Sequence, residues 1–221
     1  MSPESLNALA LSVRVAVVAT ILNALIGIPL AYFLARRPFR GRSILDLFIT
    51  LPLVLPPTVT GYYLIMLLGR HGWLGGPVYR LTGWSVTFTW YAAVIAATVM
   101  ALPLLVRTAR AAIESVDPSL VLTAFTLGRS EWQTALEVML PLARKGILAG
   151  LVLAFARALG EFGATLMLAG NIPGQTTTVP LAIYTAVQTG ETGEALALVG
   201  MLTILSCVVI FVSNRLGRGP I

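Results

Sequence analysis

The chain has 221 residues, of which 57% are hydrophobic and 11% charged, and its mean hydropathy is +0.88. Soluble domains carry about 25% charged residues, so this composition excludes a water-soluble fold and makes lipid one of the solvents. The net charge of +6 does not point to nucleic acid, because the basic residues sit in short loops beside apolar spans, as membrane orientation requires. Cys207 and His71, each the single residue of its type, exclude an intrachain disulfide and a multi-histidine metal site.

The first predicted span covers about 7–35. Leu6 to Ala35 is too long for a signal-peptide core and has no basic start, so no cleavable signal is expected. A loop with Arg36, Arg37, Arg40 and Arg42 follows. The second span, about 44–68, is broken by Pro52, Pro56 and Pro57, with the hydroxyls of Thr58 and Thr60 beside the break. Freed backbone groups are tolerated in a membrane only against protein or a cavity, so this stretch is expected beside a translocation path. The next loop holds Arg70, Arg80 and the aromatics Trp73, Tyr79, Trp84 and Trp90, which read as an interfacial belt.

The third span is expected at about 87–106. From Arg107 to Lys145 the sequence becomes polar without losing helical character. Asp117-Pro118 is a helix start, with Asp as cap and Pro in the first turn. A helix from Pro118 to about Leu127 is expected, then Gly128 as a left-handed C-cap. Ser130 caps a second helix from Glu131 to about Met139, and Pro141 restarts the chain. This makes a compact two-helix knob.

The fourth span, about 144–168, carries Arg157 and Glu161 four apart on one helical face. A lone charge at bilayer depth costs about 2.5–3.5 kcal/mol on insertion scales, so the two are expected to be paired. Two readings stay open: a structural ion pair, or Arg157 lining an anion path with Glu161 limiting its grip. Gly160, Gly163 and Ala164, with Thr165 beside them, permit close helix packing or a tight gate. Residues 169–190 read as a loop with a short half-depth helix. The polar run Asn171 to Thr178 either hydrogen-bonds an oxyanion, shapes an outer gate, or is an ordinary exposed loop. The last span is about 195–214, with Cys207 as a small packing residue. Eleven basic residues fall on one side: the four of the first loop, Arg107, Arg110, Arg129, Arg144, Lys145, Arg215 and Arg218. Two, Arg70 and Arg80, fall on the other. The positive-inside rule then puts the N-terminus outside and the C-terminus in the cytoplasm. The expected fold is all-α, a single domain over 1–221. It is a polytopic bundle of about five spanning helices with a cytoplasmic two-helix coupling segment and an outer half-helix.

VLTAFTLGRSEWQTALEVMLP (Val121–Pro141) resembles the coupling loop of ABC importer permeases. Their pattern is Glu-Ala-Ala, three residues, Gly, nine residues, Ile, one residue, Leu-Pro. Here it reads Leu122-Thr123-Ala124, Gly128, Val138 and Leu140-Pro141. The acidic position is Leu122, so any ion pair of that acid with an ATPase is not carried over; Glu131 and Glu137 are the nearby acids. LARRPFRGRSILD (Leu34–Asp46), LPLVLPPTVTGYYL (Leu51–Leu64), GRHGWLG (Gly69–Gly75), FARALGEFGATLMLAGNIPG (Phe155–Gly174) and TTTVPLAIYTAVQTG (Thr176–Gly190) resemble the molybdate branch, close to the sulfate branch. The run NIPGQTTTVPLAIYT tilts the resemblance to molybdate.

The resemblance implies ATPase-coupling residues at Thr123, Ala124, Gly128, Glu131, Leu140 and Pro141. It implies a homodimer, two cytoplasmic ATPase subunits and an extracytoplasmic oxyanion-binding protein, in a bacterial inner membrane. Some relatives carry one more N-terminal span, for which this chain is expected to lack room. Candidate path or gate residues are Pro56, Pro57, Thr58, Arg157, Glu161, Gly163 and Thr165. No G-x-x-x-x-G-K-[ST] phosphate loop occurs, so the chain is expected to be no enzyme and to need no cofactor, with ATP hydrolysed by a partner. Sulfate or tungstate as cargo, and a stand-alone secondary transporter, are the alternatives. A membrane-embedded enzyme is disfavoured, because one intramembrane Glu and one loop His supply no catalytic set.

Overall fold

The computed structural model describes residues 3–36 and 39–217, the side chains of 212–214, 216 and 217 excepted. Arg37, Arg218 and the C-terminal Ile221 lie outside the described residues. The described chain is helical throughout: α1 (Pro3–Arg36), α2 (Arg42–Val54), α3 (Pro57–Leu68), α4 (Gly75–Thr82), α5 (Trp90–Glu114), α6 (Pro118–Thr126), α7 (Glu131–Thr134), one π turn (Ala135–Met139), α8 (Leu140–Leu159), α9 (Gly163–Ala169), α10 (Val179–Thr189) and α11 (Thr192–Gly217).

Among the described residues, four continuous helices are long and apolar enough to cross a membrane: Pro3–Arg36, Trp90–Glu114, Glu131–Leu159 and Thr192–Phe211. Where a crossing at 44–68 was expected, the chain forms two shorter helices, α2 and α3. The chain is extended at Leu55 (ψ 143°) and Pro56 (ψ 136°). Two consecutive prolines remove two amide donors, and each forces its predecessor out of the helical region.

The centre of the bundle is α5. Ala92, Ala93, Ala96, Ala97, Ala101, Leu105 and Ala109 on it are fully buried. One flank is α1, whose stripe Ala16, Ala19, Asn23, Gly27 and Ala31 is buried at helical spacing. A Cβ on Gly27 would lie 3.0 Å from Leu105. The other flank is α8, where Gly150 faces Leu105 and Thr108, and Gly146 sits against Ala112. In lipid such small-residue faces supply the packing that holds helices together.

The structure corrects several expectations. The third span does not stop at Val106 but runs on to Glu114. Charged residues end a hydrocarbon stretch, not a helix; Arg110 pairs with Glu114 one turn on, at 2.9 Å, and with Asp46 of α2 at 3.5 Å. Arg42 reaches the same Glu114 at 3.2 Å. The outer loop contains an additional short helix, α4, closed by Gly83 at φ +69°. Arg14 lies 4.0 Å over the Trp90 ring, which accounts for a charge inside the first span. Cys207 is exposed and does not pack within the chain, because α11 buries little of its length. The expected half-depth helix is present as α10. Its first amide, Val179 N–H, donates to Ser12 Oγ at 2.7 Å and ties it to α1.

Candidate functional site

The Arg-rich end carries the two-helix knob. Asp117 accepts the Ser119 amide at 2.8 Å. That backbone bond, with a side-chain bond to Ser119, holds the carboxyl below the usual carboxylate range. Pro118 occupies the first turn, and Thr123 Oγ1 donates to the Ser119 carbonyl at 2.8 Å. After α6 the Arg129 amide reaches back to the Ala124 carbonyl (3.0 Å) and the Gly128 amide to that of Phe125 (3.0 Å). These are the two bonds of a Schellman closure, and they place Gly128 at φ +79°. Ser130 and Gln133 then form a reciprocal capping box, Gln133 Oε1 accepting the Ser130 amide at 2.9 Å. Both sequence-predicted caps and the glycine turn are therefore present.

Pro141 does not restart the chain. Residues 131–159 form one continuous helix, and the π turn just before the proline is the reason. The Leu140 amide bonds to the Ala135 carbonyl, five residues back. The wider turn absorbs the register that the proline ring would otherwise disturb. Glu131, Leu140 and Pro141 consequently lie on one rod that leads from the knob into the membrane.

The knob presents apolar side chains where a polar face was expected. Leu122 is 63%, Leu127 77% and Trp132 68% exposed. Sequence reasoning passed over them by treating the segment as polar; three large apolar residues between charged ones were the available signal. An Arg129–Glu137 pair at 3.3 Å ties the turn to the second arm. A Cβ at Gly128 would meet nothing within 4 Å, so the turn is open to a partner. Ala124 is buried beneath it.

The rod ends at a second feature. The fourth span is not continuous to Leu168: α8 stops at Leu159, and Gly160, Glu161 and Phe162 form a break before α9. Arg157 and Glu161 thus do not share one helix, but they do meet. Arg157 Nη1 lies 2.6 Å from Glu161 Oε2, with the Glu161 side chain 2% exposed and that of Arg157 26%. Glu161 Oε1 accepts the Ala164 amide at 2.8 Å.

The two helix breaks face each other. A Cβ on Gly163 would lie 2.9 Å from Pro57 Cβ and 3.2 Å from the Thr58 nitrogen. A Cβ on Gly61 would lie 2.7 Å from Met167 Cβ and 2.9 Å from Ala164 Cα. So the structure brings Pro57, Thr58, Gly163 and Ala164 together, backbone to backbone. Pro56, Pro57 and Thr58 are exposed on the open side of this junction, while Thr60 and Thr165 are buried behind it. The coupling candidates and the path candidates are separate clusters, joined by the rod 131–159.

The polar run Asn171–Thr178 bonds within itself and to α10. Asn171 donates to Thr185 Oγ1 (2.8 Å) and accepts from Thr177 (2.7 Å); Thr176 Oγ1 accepts the Ile172 amide (2.9 Å). A cavity of about 260 Å³ beside it is lined by Glu4, Glu191 and Glu194 as well as Asn171 and Thr177. Its acid lining repels anions, which argues against an oxyanion site there. Asn23 is a polar residue that sequence reasoning missed; it is fully buried and its amide atoms lack partners among the described residues.

The family model for the binding-protein-dependent transport system inner membrane component matches residues 27–218. The molybdenum transport system permease protein ModB of Escherichia coli K12 is 44% identical over 214 residues, 96% of this chain and 93% of that protein. The putative molybdenum transport system permease protein YvgM of Bacillus subtilis is 41% identical, covering 94% and 92%. Among solved structures, the inward-facing MetNI methionine ABC transporter aligns with TM-score 0.72 at 19% identity over 99% of this chain and 98% of that one. The bacterial alginate ABC transporter aligns with TM-score 0.78 at 16% identity, over 99% and 80%. At these identities the structures carry the fold alone.

Proposed function

The chain belongs to the family of binding-protein-dependent transport system inner membrane components, and we propose that it is the permease subunit of an ATP-driven importer, forming the translocation pathway for molybdate. The observation that carries this is 44% identity to a molybdenum permease across nearly the whole of both chains. The single domain, the second copy of the chain, the cytoplasmic ATPases and the extracytoplasmic binding protein belong to the same reading. So does an orientation with the N-terminus outside and the Arg-rich end in the cytoplasm.

The geometry suits that task. Leu122, Leu127 and Trp132, exposed at the polar end, offer an apolar docking face to an ATPase, with Gly128 closing the turn between the two arms. Thr123, Ala124 and Glu131 belong to that face, and Leu140 and Pro141 carry it into α8. Because 131–159 is one helix, a displacement of the knob reaches Arg157 without a hinge in between. The break at Glu161 and the break at Pro56 then give where a rigid helix would not. Pro56, Pro57 and Thr58 face the path, with Gly163 and Thr165 behind them; the Thr58 hydroxyl and the extended backbone at Leu55–Pro56 supply polar groups at bilayer depth.

The test is uptake of labelled molybdate by cells carrying the chain with its ATPase and binding protein, in competition with tungstate and sulfate. Molybdate uptake that a tenfold excess of sulfate leaves in place supports the assignment. Uptake abolished by that sulfate excess would reassign the cargo.

A further inference from the structure

Glu161 sits inside the break between α8 and α9 and is 3% exposed. A carboxylate at that depth is expensive unless its charge and lone pairs are used. Its two oxygens face opposite sides of the break, one in a hydrogen bond and the other in an ion pair without hydrogen-bond geometry. Oε1 accepts the Ala164 amide in the first turn of α9 at 2.8 Å. Oε2 meets Arg157, in the last turn of α8, at 2.6 Å. The residue preceding α9, Phe162, supplies no cap of its own. One side chain therefore touches both the last turn of α8 and the first turn of α9.

What α9 touches gives that contact a consequence. Its first residues lie on the first two turns of α3 without intervening side chains, Gly163 against Pro57 and Thr58, and Ala164 against Gly61. Any change of the α8–α9 angle displaces the start of α3, whose Pro56, Pro57 and Thr58 are exposed. We propose that Glu161 is a positioning residue for transport: it sets the angle of the α8–α9 break and, through the glycine contacts, the position of the α3 start in the wall of the path, without itself touching cargo. Arg157 is the handle by which the rod from the knob acts on it. The inference rests on the permease reading above.

A carboxylate is the group that can do this. It is acceptor-only, so one oxygen takes a backbone amide and the other a guanidinium. Glutamine has the same shape but one acceptor oxygen. Its NH2 would face whichever donor the oxygen does not serve.

The experiment uses the full transport complex in liposomes, with Cys207→Ser and Val59→Cys in the chain, Val59 being an exposed neighbour of the α3 start. Three quantities are read per assembled complex: the thiol-labelling rate at position 59, oxyanion uptake, and ATP hydrolysed per oxyanion. Glu161→Gln is expected to assemble, to change the labelling rate by about fivefold or more and to lower uptake per ATP by a similar factor, the ratio that about 1 kcal/mol of shifted equilibrium produces. Gly200→Ala on α11, where an added Cβ meets nothing within 4 Å, is expected to stay within about twofold of the parent on both, a smaller shift on the same scale. Parent-like labelling and uptake in Glu161→Gln overturn the proposal. Lost uptake with unchanged labelling overturns it too, because Glu161 would then act on cargo directly. If Glu161→Gln does not assemble, Glu161→Asp replaces it. One methylene shorter, it cannot span both donors, and parent-like behaviour overturns the proposal equally. Failure of the permease reading shows separately, as no molybdate uptake by the unsubstituted complex.

Discussion

Replacing Gly61 by alanine tests the packing of the two helix breaks. The added Cβ would sit 2.7 Å from Met167 Cβ, 2.9 Å from Ala164 Cα and 3.1 Å from the Ala164 carbonyl oxygen. Carbon atoms in contact prefer about 3.5–4.0 Å, so α3 and α9 must part by about 1 Å. No rotamer relieves this, because two of the three obstacles are backbone and the third is a Cβ. Overpacking of this kind costs about 1–3 kcal/mol, against which alanine returns about 1 kcal/mol of helix propensity. The net expectation is a loss of up to about 2 kcal/mol, concentrated at the junction rather than spread through the bundle. The assay is thermal unfolding of the purified chain together with uptake by the reconstituted complex. Gly200→Ala on α11, where an added Cβ meets nothing within 4 Å, serves as control. Gly61→Ala should melt below both the parent and the control and should transport poorly even at temperatures where it is folded. Melting at or above the parent, with full uptake, would refute the backbone contact between α3 and α9.

Gly128→Val places a β-branched residue at φ +79° and should uncouple ATP hydrolysis from uptake while the protein still inserts, whereas Gly128→Asn, which tolerates that conformation, should remain coupled. Arg157→Leu leaves Glu161 buried without its cation, a loss of about 3–5 kcal/mol; adding Glu161→Leu should restore thermal stability but not full uptake, because the Ala164 amide loses its cap, and full recovery of transport would show that the pair is structural only. The Asp117 carboxyl, held below the usual range by the Ser119 amide, stabilises α6 at pH above the ordinary carboxylate value and loses this as pH falls through its lowered one. Hydrogen-exchange protection of α6, corrected for intrinsic rate, should therefore drop on acidification, and Asp117→Asn should remove most of that dependence. A reporter at the N-terminus should be extracytoplasmic and one fused after Ile221 cytoplasmic; the reverse would overturn the orientation.

Local signals in the sequence located most of the elements. Asp117-Pro118, Gly128 and Ser130 were legible because caps and left-handed turns depend on one or two residues each. The double proline at 56–57 announced the break between α2 and α3. What was not legible has a common cause: it depends on how one element accommodates another. Pro141 reads as a stop, yet a π turn five residues long carries the helix past it. Arg157 and Glu161 read as neighbours on one helix, yet they meet across a break, because Glu161 caps α9 instead of continuing α8. Charge marked the end of the third span early, since Arg107 and Arg110 leave the hydrocarbon without leaving the helix. That Gly61 and Gly163 lie against the opposite break follows from tertiary packing, which no spacing along one helix encodes.

On the proposed reading this chain conducts molybdate when driven by ATP from its Arg-rich side. The direct measurement is accumulation of labelled molybdate in liposomes containing the chain and its ATPase, with ATP enclosed and molybdate-loaded binding protein outside. The account predicts accumulation that requires all three proteins and ATP, and that disappears in Gly128→Val while ATP hydrolysis continues. Molybdate uptake by the chain alone, driven by an ion gradient without ATP, would contradict it.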